Sequence, residues 1–250
     1  MAWTTGTINT ADAWSGIAYG NAGAGGVGKF VTVANLSANS SYSTDGITWT
    51  QGVVGPPSYS RIYYRGIMPV KAYWQAITFG NDKFVVVATG AYSAISNDGA
   101  NWTFVPMPYP KQWIGIANNN NYFIAVGTGF TSISGKLYGN QTVAVTADPH
   151  DWGGSRMDAN LNWSGVAYGL GQFVTISNGV ATSSSVHGAS WTTSNNLPIN
   201  QSWTSIVFGG DKFVAIASNS NVAAYSVNGV DWTATSLPDS SDWSSIAYGN

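Results

Sequence analysis

The twelve tryptophans of this chain recur at a regular spacing, and this repeat limits the fold more than any other feature of the sequence. Six of them open a segment of the type Trp-x-x-Ile-x-Tyr-Gly, and successive opening tryptophans are 60, 39, 50, 40 and 40 residues apart. They are Trp14, Trp74, Trp113, Trp163, Trp203 and Trp243. The basic unit is therefore 40 residues long, with insertions in two copies.

Two further motifs follow the opening segment in five copies. The first has the pattern Lys-Phe-Val-x-Val, as in Lys29–Val33, and the second is a Ser-x-Asp-Gly turn closed by another tryptophan, as in Ser43–Trp49. Alternating apolar residues and Asp-Gly turns predict four short strands in each unit. Units of 40 residues with four strands are typical of β-propeller blades, which bury their faces only against neighbouring blades.

The repeat predicts an all-β fold, a single β-propeller domain over residues 1–250 made of four-stranded antiparallel blades. Five complete blades are predicted at residues 14–50, 74–103, 113–152, 163–192 and 203–233. Residues 1–5, which contain Trp3, and residues 243–250 are predicted to be parts of a split and incomplete sixth blade. A five-bladed ring is the alternative.

The faces of the first strand in each blade stay open at this stage. Ile17 and Tyr19 share a face with Trp14 only if the strand is bulged directly after the tryptophan. Without a bulge, these side chains are divided between the two faces of the sheet.

The composition excludes several classes of function. Charged residues make up 8% of the chain and the net charge is −2, so the protein has no basic field for nucleic acid or an anionic membrane. With no cysteine there is no disulfide, thiolate metal site or cysteine nucleophile. No metal or other cofactor is predicted. We see no signal peptide and no membrane-spanning segment, so we expect a soluble protein made in a cytoplasm.

An aromatic and basic loop is the candidate recognition site. The insertion at residues 51–73 and the segment around Arg156 are predicted to reach the same face of the propeller. The candidate ligand- or partner-binding residues are Tyr59, Arg61, Tyr63, Tyr64, Arg65 and Arg156. Tyrosine and arginine on a loop over a rigid scaffold are typical of surfaces that bind sugar, peptide or another subunit. The alternative is that these rings only pack the loop against the blade.

The turn between the third and fourth strands resembles the Asp-box, or BNR repeat, of sialidases and other propellers. Its central position is occupied by Asp45, Asp98, Asp148, His187 and Asn228 in the five copies. Because the residue varies, we interpret it as a structural turn residue and not as a catalytic or metal-binding one. Sialidase chemistry also needs a glutamate beside a tyrosine, and the chain contains no glutamate. We therefore expect that the chain is not an enzyme, and a sialidase-like glycosidase is the least favoured hypothesis.

The whole repeat resembles those of bacteriophage tail-fibre and other virion propeller proteins. This resemblance implies a structural protein of a tail fibre or capsid decoration, active in host adsorption through a host-surface glycan. It implies assembly in the host cytoplasm, a location in the virion, and other virion proteins or a homo-oligomer as partners. The alternative is a bacterial lectin-like binding module. If the loop is the binding site, replacing Tyr63, Tyr64 and Arg65 with alanine should abolish binding without affecting folding.

Overall fold

The computed structural model describes residues 6–8, 10–21, 26–54, 73–128, 132–133, 136–137, 141–157 and 160–249. These ranges contain twenty β-strands and no helix. The first ten are β1 (Ala13–Gly20), β2 (Lys29–Asn35), β3 (Asn39–Ser43), β4 (Thr50–Val53), β5 (Tyr73–Gly80), β6 (Lys83–Ser96), β7 (Thr103–Asn118), β8 (Phe123–Gly127), β9 (Ser132–Ile133) and β10 (Lys136–Leu137). The others are β11 (Val143–Thr146), β12 (Gly153–Ser155), β13 (Trp163–Gly169), β14 (Gln172–Ser177), β15 (Thr182–Ser185), β16 (Thr192–Ser194), β17 (Trp203–Gly209), β18 (Lys212–Ala217), β19 (Ser220–Ser226) and β20 (Thr233–Ser241).

These strands form four antiparallel sheets and one short hairpin. Three sheets have four strands in chain order, β1 to β4, β13 to β16 and β17 to β20. The fourth sheet has six strands in the order β12-β11-β8-β7-β6-β5, and the hairpin consists of β9 and β10. Sequential antiparallel pairing within a sheet is the topology of a propeller blade.

The segments that begin with the opening tryptophans lie side by side around a central cavity. Strand β1 packs beside β5, β5 beside β7, β7 beside β13, and β13 beside β17. The cavity of about 560 Å³ is lined by residues from all five strands and by residues 244–247. Radial packing of sheets around a common axis makes this fold a β-propeller.

The core of the protein lies between neighbouring sheets. Trp203 at the start of β17 is 1% exposed and packs against Val174 and Ile176, which project from the preceding sheet. Trp74, Trp113 and Trp163 are also fully buried, each in a cluster with residues of the preceding repeat. A single sheet would leave these rings in water, so each sheet depends on its neighbour for burial.

A bulge after the opening tryptophan decides which side chains share a face. In β1 the pairing with β2 shifts between Trp14 and Gly16, and the same shift occurs in β5, β7, β13 and β17. The extra residue of the bulge puts Trp14, Ile17 and Tyr19 on one face. Gly16 on the opposite face contacts Ile77 of the next repeat, and in β13 and β17 the face of the tryptophan packs against the preceding repeat.

The prediction of five complete blades with a split sixth is wrong, and so is the five-bladed alternative. The described strands form four separate sheets because repeats two and three share one six-stranded sheet. Strand β6 stays extended through a bulge at Gly90, and β7 runs on through Pro106, Pro108 and Pro110. Proline holds itself and the residue before it in extended conformations, so the strand continues through this segment.

The two predicted parts of the split blade do not form a sheet in the described residues. Trp3 and the rest of residues 1–5 lie outside these residues. Residues 242–249 are placed, but no strand is formed there. In the N-terminal part that the structure describes, Thr7 makes a parallel bridge to Thr48 at the turn before β4.

Candidate functional site

The central cavity is a concave feature that is built from repeated positions of the described residues. The residue after each opening tryptophan contributes the first ring of side chains, which is mostly polar. This ring consists of Ser15, Gln75, Ile114, Ser164, Thr204 and Ser244. An aliphatic ring lies two residues further along the chain in each repeat and consists of Ile17, Ile77, Ile116, Val166, Ile206 and Ile246.

Several hydroxyl groups of the first ring hold neighbouring strands together. Ser15 Oγ donates a hydrogen bond to the Trp74 carbonyl at 2.7 Å, and Thr204 Oγ1 donates to the Trp243 carbonyl at 2.7 Å. Ser164 Oγ donates within its own sheet to the Ile176 carbonyl at 3.3 Å. The described lining contains no Asp, Lys, Arg or His. The cavity can therefore bind an uncharged molecule, but its described lining offers no general acid or base.

The sequence analysis did not identify this cavity as a site. The sequence feature that could have indicated the cavity is the residue after each opening tryptophan, which is Ser or Thr in four of six copies. Only the bulge, which the sequence left undecided, turns this position toward the axis.

The acidic turn residues act on their own backbone. Asp45 Oδ1 accepts hydrogen bonds from the amides of Ile47 and Thr48 at 2.8 and 2.7 Å and from Ser43 Oγ at 2.8 Å. The amides of Thr48 and Ile47, followed by the Ser43 hydroxyl, lower the pKa of Asp45 to about 2. Such bonds stabilise the ionised form and fix the turn.

The equivalent positions repeat this arrangement with different chemistry. Burial raises the pKa of Asp98, but hydrogen bonds from the backbone and side chain of Asn101, the Ala100 amide and the Ser96 hydroxyl outweigh burial and lower it to about 2. Asn228 Oδ1 accepts from the amides of Val230 and Asp231 at 2.9 and 2.8 Å.

In the fourth repeat His187 holds the central turn position, and the serine of the motif makes the hydrogen bond of the turn. Ser185 Oγ accepts a hydrogen bond from the Gly188 amide at 2.8 Å, and Trp191 Nε1 donates to the Gly188 carbonyl at 2.9 Å. The His187 ring lies 5.6 Å from that of Tyr122. Aspartate, asparagine and histidine thus all occupy this turn position without a change of turn.

Asp148 differs from the other turn residues because it contacts a histidine. His150 Nδ1 lies 2.7 Å from Asp148 Oδ1, and the His150 amide donates to the same oxygen at 3.1 Å. These two hydrogen bonds lower the pKa of Asp148. His150 also lines a small groove with Trp152 and the segment Pro106–Pro108. A carboxylate on one ring nitrogen orients an imidazole and leaves the other nitrogen free for proton transfer.

Lys111 is a buried basic residue that the sequence analysis missed. Its side chain is only 1% exposed in β7, and Nζ donates a hydrogen bond to the Thr128 carbonyl at 3.3 Å. Burial lowers the pKa of Lys111 from 10.5 to about 8.

The structure tests little of the predicted recognition surface. Tyr59, Arg61, Tyr63, Tyr64 and Arg65 lie outside the described residues. Arg156 follows β12 directly and is exposed. In the described part of the chain, no three His, Asp, Glu or Cys side chains come close enough together to bind a metal ion. The same residues contain no helix long and apolar enough to span a membrane.

Comparison with known proteins gives structural neighbours only. No family model matches the chain, and no curated protein matches it. Virginiamycin B lyase from Staphylococcus aureus superposes with a TM-score of 0.72 at 12% identity, over 92% of this chain and 72% of the lyase. A catalytically inactive variant of that lyase with quinupristin superposes with a TM-score of 0.70 at 12% identity, over 94% of this chain and 73% of the variant. YCF48 bound to D1 peptide superposes with a TM-score of 0.61 at 15% identity, over 92% of this chain and 68% of YCF48.

These neighbours correct one expectation from the sequence. The exclusion of enzymatic activity is contradicted, because the neighbours with the highest of these TM-scores are lyases. The missing glutamate argues against sialidase chemistry and has no bearing on the other reactions that a propeller can support. At 12% and 15% identity the likeness itself shows the fold alone, and that fold is a β-propeller.

Proposed function

We propose that this chain is a virion propeller, in a tail fibre or a capsid decoration, and that it binds an uncharged host-surface glycan in its central cavity. The absence of charged side chains from the described cavity lining carries the proposal. The resemblance of the repeat to virion propellers and the small number of charged residues support the virion part.

The cavity lining suits a neutral sugar better than a charged ligand. A carboxylate or phosphate would lose its hydration without gaining an ionic partner from Ser15, Ser164 or Thr204. A neutral sugar presents hydroxyl groups to the polar ring and C–H groups to the ring that contains Ile77 and Ile206. Ligand pockets combine in this way an apolar lining with a few polar groups that fix orientation.

A panel of neutral and sialylated oligosaccharides, measured by isothermal titration calorimetry, tests the glycan site. The Gln75→Trp variant places a bulky ring in the cavity, and we expect it to weaken binding of a neutral glycan at least tenfold. Gln51→Trp is the matched control, because Gln51 is exposed on β4 and is not among the cavity-lining residues. Preference for sialylated sugars, or unchanged binding by Gln75→Trp, would contradict this site.

The same experiment includes the loop predicted from the sequence. Replacing Tyr63, Tyr64 and Arg65 with alanine separates a loop site from a cavity site. A loss of binding in this variant, together with normal binding by Gln75→Trp, would mean that the glycan binds at the loop and not in the cavity.

Purified particles separate the virion protein from its alternative, a bacterial lectin-like module. If the chain is a virion protein, mass spectrometry will find it at a fixed ratio to other structural proteins of the particle. Its absence from particles, with glycan binding retained, would favour the lectin.

A second candidate function is catalysis at His150. The observation that favours it is the 2.7 Å contact between His150 Nδ1 and Asp148 Oδ1 beside the groove formed with Trp152. This arrangement suits a general base, and the S. aureus neighbour is named as a lyase. Incubation with quinupristin tests it, with turnover expected from the unaltered chain and lost in His150→Ala. Lack of turnover by the unaltered chain would exclude this substrate.

A further inference from the structure

Backbone carbonyls surround the hydroxyl groups of the polar cavity ring. Ser15 Oγ lies 3.2 Å from the Val33 carbonyl oxygen of its own sheet, in addition to its 2.7 Å contact with the Trp74 carbonyl of the next sheet. Thr204 Oγ1 repeats the contact within its own sheet, because it lies 3.2 Å from the Ile216 carbonyl oxygen. Each of these hydroxyl groups is therefore placed between two carbonyl oxygens.

The contact within the sheet is a consequence of the bulge. Ser164 Oγ has it as well, with the Ile176 carbonyl at 3.3 Å. In all three sheets the carbonyl belongs to the residue that pairs with the one directly after the bulge. Thr32, another residue of the cavity lining, donates in the opposite direction across the same pair, from Oγ1 to the Gly16 carbonyl at 2.8 Å.

These contacts use the only proton of each hydroxyl group. A carbonyl oxygen can only accept a hydrogen bond, whereas a serine or threonine hydroxyl has one proton to donate and two lone pairs with which to accept. The protons of Ser15, Ser164 and Thr204 must therefore point at carbonyl oxygens. No described group donates a hydrogen bond to these three oxygens, so their lone pairs are left for a molecule in the cavity. We call these three groups the acceptor hydroxyls.

Two other repeats differ at this ring position. Ile114 has no polar side-chain atom, which shows that the position accommodates a residue without a hydroxyl group. Gln75 has an amide, and its Nε2 lies 3.5 Å from Thr89 Oγ1. An amide can both donate and accept. The acceptor hydroxyls are therefore the ring members whose role toward a ligand is fixed by their surroundings.

We infer that the cavity selects a ligand that donates hydrogen bonds to the acceptor hydroxyls. The inference rests on the proposed glycan site and specifies its chemistry. A sugar hydroxyl that donates to Ser164 Oγ or Thr204 Oγ1 replaces the water that both groups lose. An ether oxygen or a fluorine in the same place would oppose one lone pair with another and leave both groups without a partner. The ligand class is therefore an uncharged sugar with free hydroxyl groups, and O-methylated sugars and polyethers are excluded.

The carbonyl contacts also strengthen the acceptor hydroxyls. Linked hydrogen bonds polarise one another, so a hydroxyl that donates to a carbonyl becomes a better acceptor. A ligand that donates to Ser15 Oγ should in turn strengthen the hydrogen bond from Ser15 to the Trp74 carbonyl. Sugar binding and the contact between neighbouring sheets would then support each other.

Replacement of single sugar hydroxyls by fluorine tests the direction of these hydrogen bonds. Fluorine is close to a hydroxyl group in size but carries no proton to donate. The probe is methyl α-glucoside, compared by isothermal titration calorimetry with its monofluorinated and monodeoxy analogues. We expect at least one fluorinated analogue to bind about fivefold more weakly than the parent sugar, and as weakly as the matching deoxy analogue. Equal binding by the parent sugar and all fluorinated analogues would overturn the inference.

Variants of the acceptor hydroxyls assign the contact. The loss caused by fluorine should disappear in at least one of Ser15→Ala, Ser164→Ala and Thr204→Val, because the sugar proton then has no acceptor to lose. Ser236→Ala is the matched control, since Ser236 is exposed on β20 and does not line the cavity. It should retain the full loss. A loss that stays unchanged in all three cavity variants would overturn the inference.

Neutron diffraction from crystals of the deuterated, sugar-free protein locates the hydroxyl protons without any ligand. We expect the deuterons of Ser15, Ser164 and Thr204 to point at carbonyl oxygens. Deuterons directed into the cavity would overturn the inference, whichever sugar binds. If no sugar binds and the deuterons point at carbonyl oxygens, the proposed glycan function is wrong, and the acceptor character of the ring is confirmed.

Discussion

At the scale of single residues, hydrogen bonds to the turn aspartates make the free energy of unfolding depend on pH. The pKa values of Asp45 and Asp98 are lowered from 3.8 to about 2, so the folded protein holds these groups ionised more strongly than the unfolded chain does. Their contribution to the free energy of unfolding is complete above pH 3.8. It is lost as the pH falls through the window from 3.8 to 2.

Asp98→Asn should remove this pH dependence and retain the turn. Asn228 shows that an amide oxygen can accept the same two backbone hydrogen bonds. We expect a loss of about 1 kcal/mol at pH 7, because solvent screens a partly exposed carboxylate, and a loss that becomes smaller as the pH falls from 3.8 to 2. Urea unfolding across this pH range measures the effect. Asn228→Asp is the reciprocal control, and an effect of Asp98→Asn that does not vary with pH would contradict the interpretation.

Lys111 gives a residue-scale prediction at alkaline pH. Since burial lowers its pKa from 10.5 to about 8, the unfolded chain binds the additional proton between these values. The contribution of Lys111 to the free energy of unfolding therefore increases as the pH rises from 8 to 10.5. Lys111→Met should remove this component, which is measured as the difference between variant and unaltered protein because tyrosines titrate in the same range. A constant difference from pH 7 to 10.5 would contradict the lowered pKa.

At the scale of elements, turn glycines serve both conformation and packing. Gly99 has φ +75°, and an added Cβ would lie 2.5 Å from Cγ2 of the fully buried Val31 in the neighbouring sheet. Gly171 has nearly the same φ, +78°, but no described atom within 4 Å of an added Cβ. A comparison of substitutions at Gly99 and Gly171 therefore separates the cost of backbone strain from the cost of a steric clash between sheets.

Gly171→Ala should cost about 1 kcal/mol, the penalty of a left-handed conformation for a residue with a Cβ. Gly99→Ala should cost at least about 2 kcal/mol more, because a stiff β-branched side chain must move. Chemical denaturation of both variants provides the comparison. Equal losses would mean that the turn of one sheet does not pack against the neighbouring sheet.

The sequence predicts strands well where apolar periodicity is strong and poorly where backbone chemistry decides. The opening tryptophans mark β13 and β17 at their first residues, and Phe213 and Phe173 fall in second strands as predicted. The continuous β6 and β7 were not predicted, because the repeat was divided into separate short strands and blades, whereas extended backbone continues through Gly90 and through Pro106 to Pro110. The cavity was missed because the bulge that orients Ser164 and Thr204 depends on pairing, which the residues alone left open.

At the scale of the whole molecule, stability is shared between neighbours. Trp203 is buried by the sheet before it, and Trp243 is only partly buried although it follows β20 in the same way. A repeat is therefore covered only as far as adjacent sheets extend, and the exposed residues at the two ends are Ile17, Tyr19 and Tyr248, which are 60%, 58% and 53% exposed.

Two double-cysteine variants test most directly how the inner strands, the segments that begin with the opening tryptophans, are arranged around the central cavity. Gly209→Cys with Tyr248→Cys joins β17 to residues 243–249, because an added Cβ at Gly209 lies 2.0 Å from Tyr248 Cγ, and Tyr19→Cys with Gly249→Cys joins β1 to the same residues. After oxidation of the folded protein, mass spectrometry should find a disulfide in the first variant and free thiols in the second. A disulfide between positions 19 and 249, or none between 209 and 248, would show that the inner strands are not arranged as described.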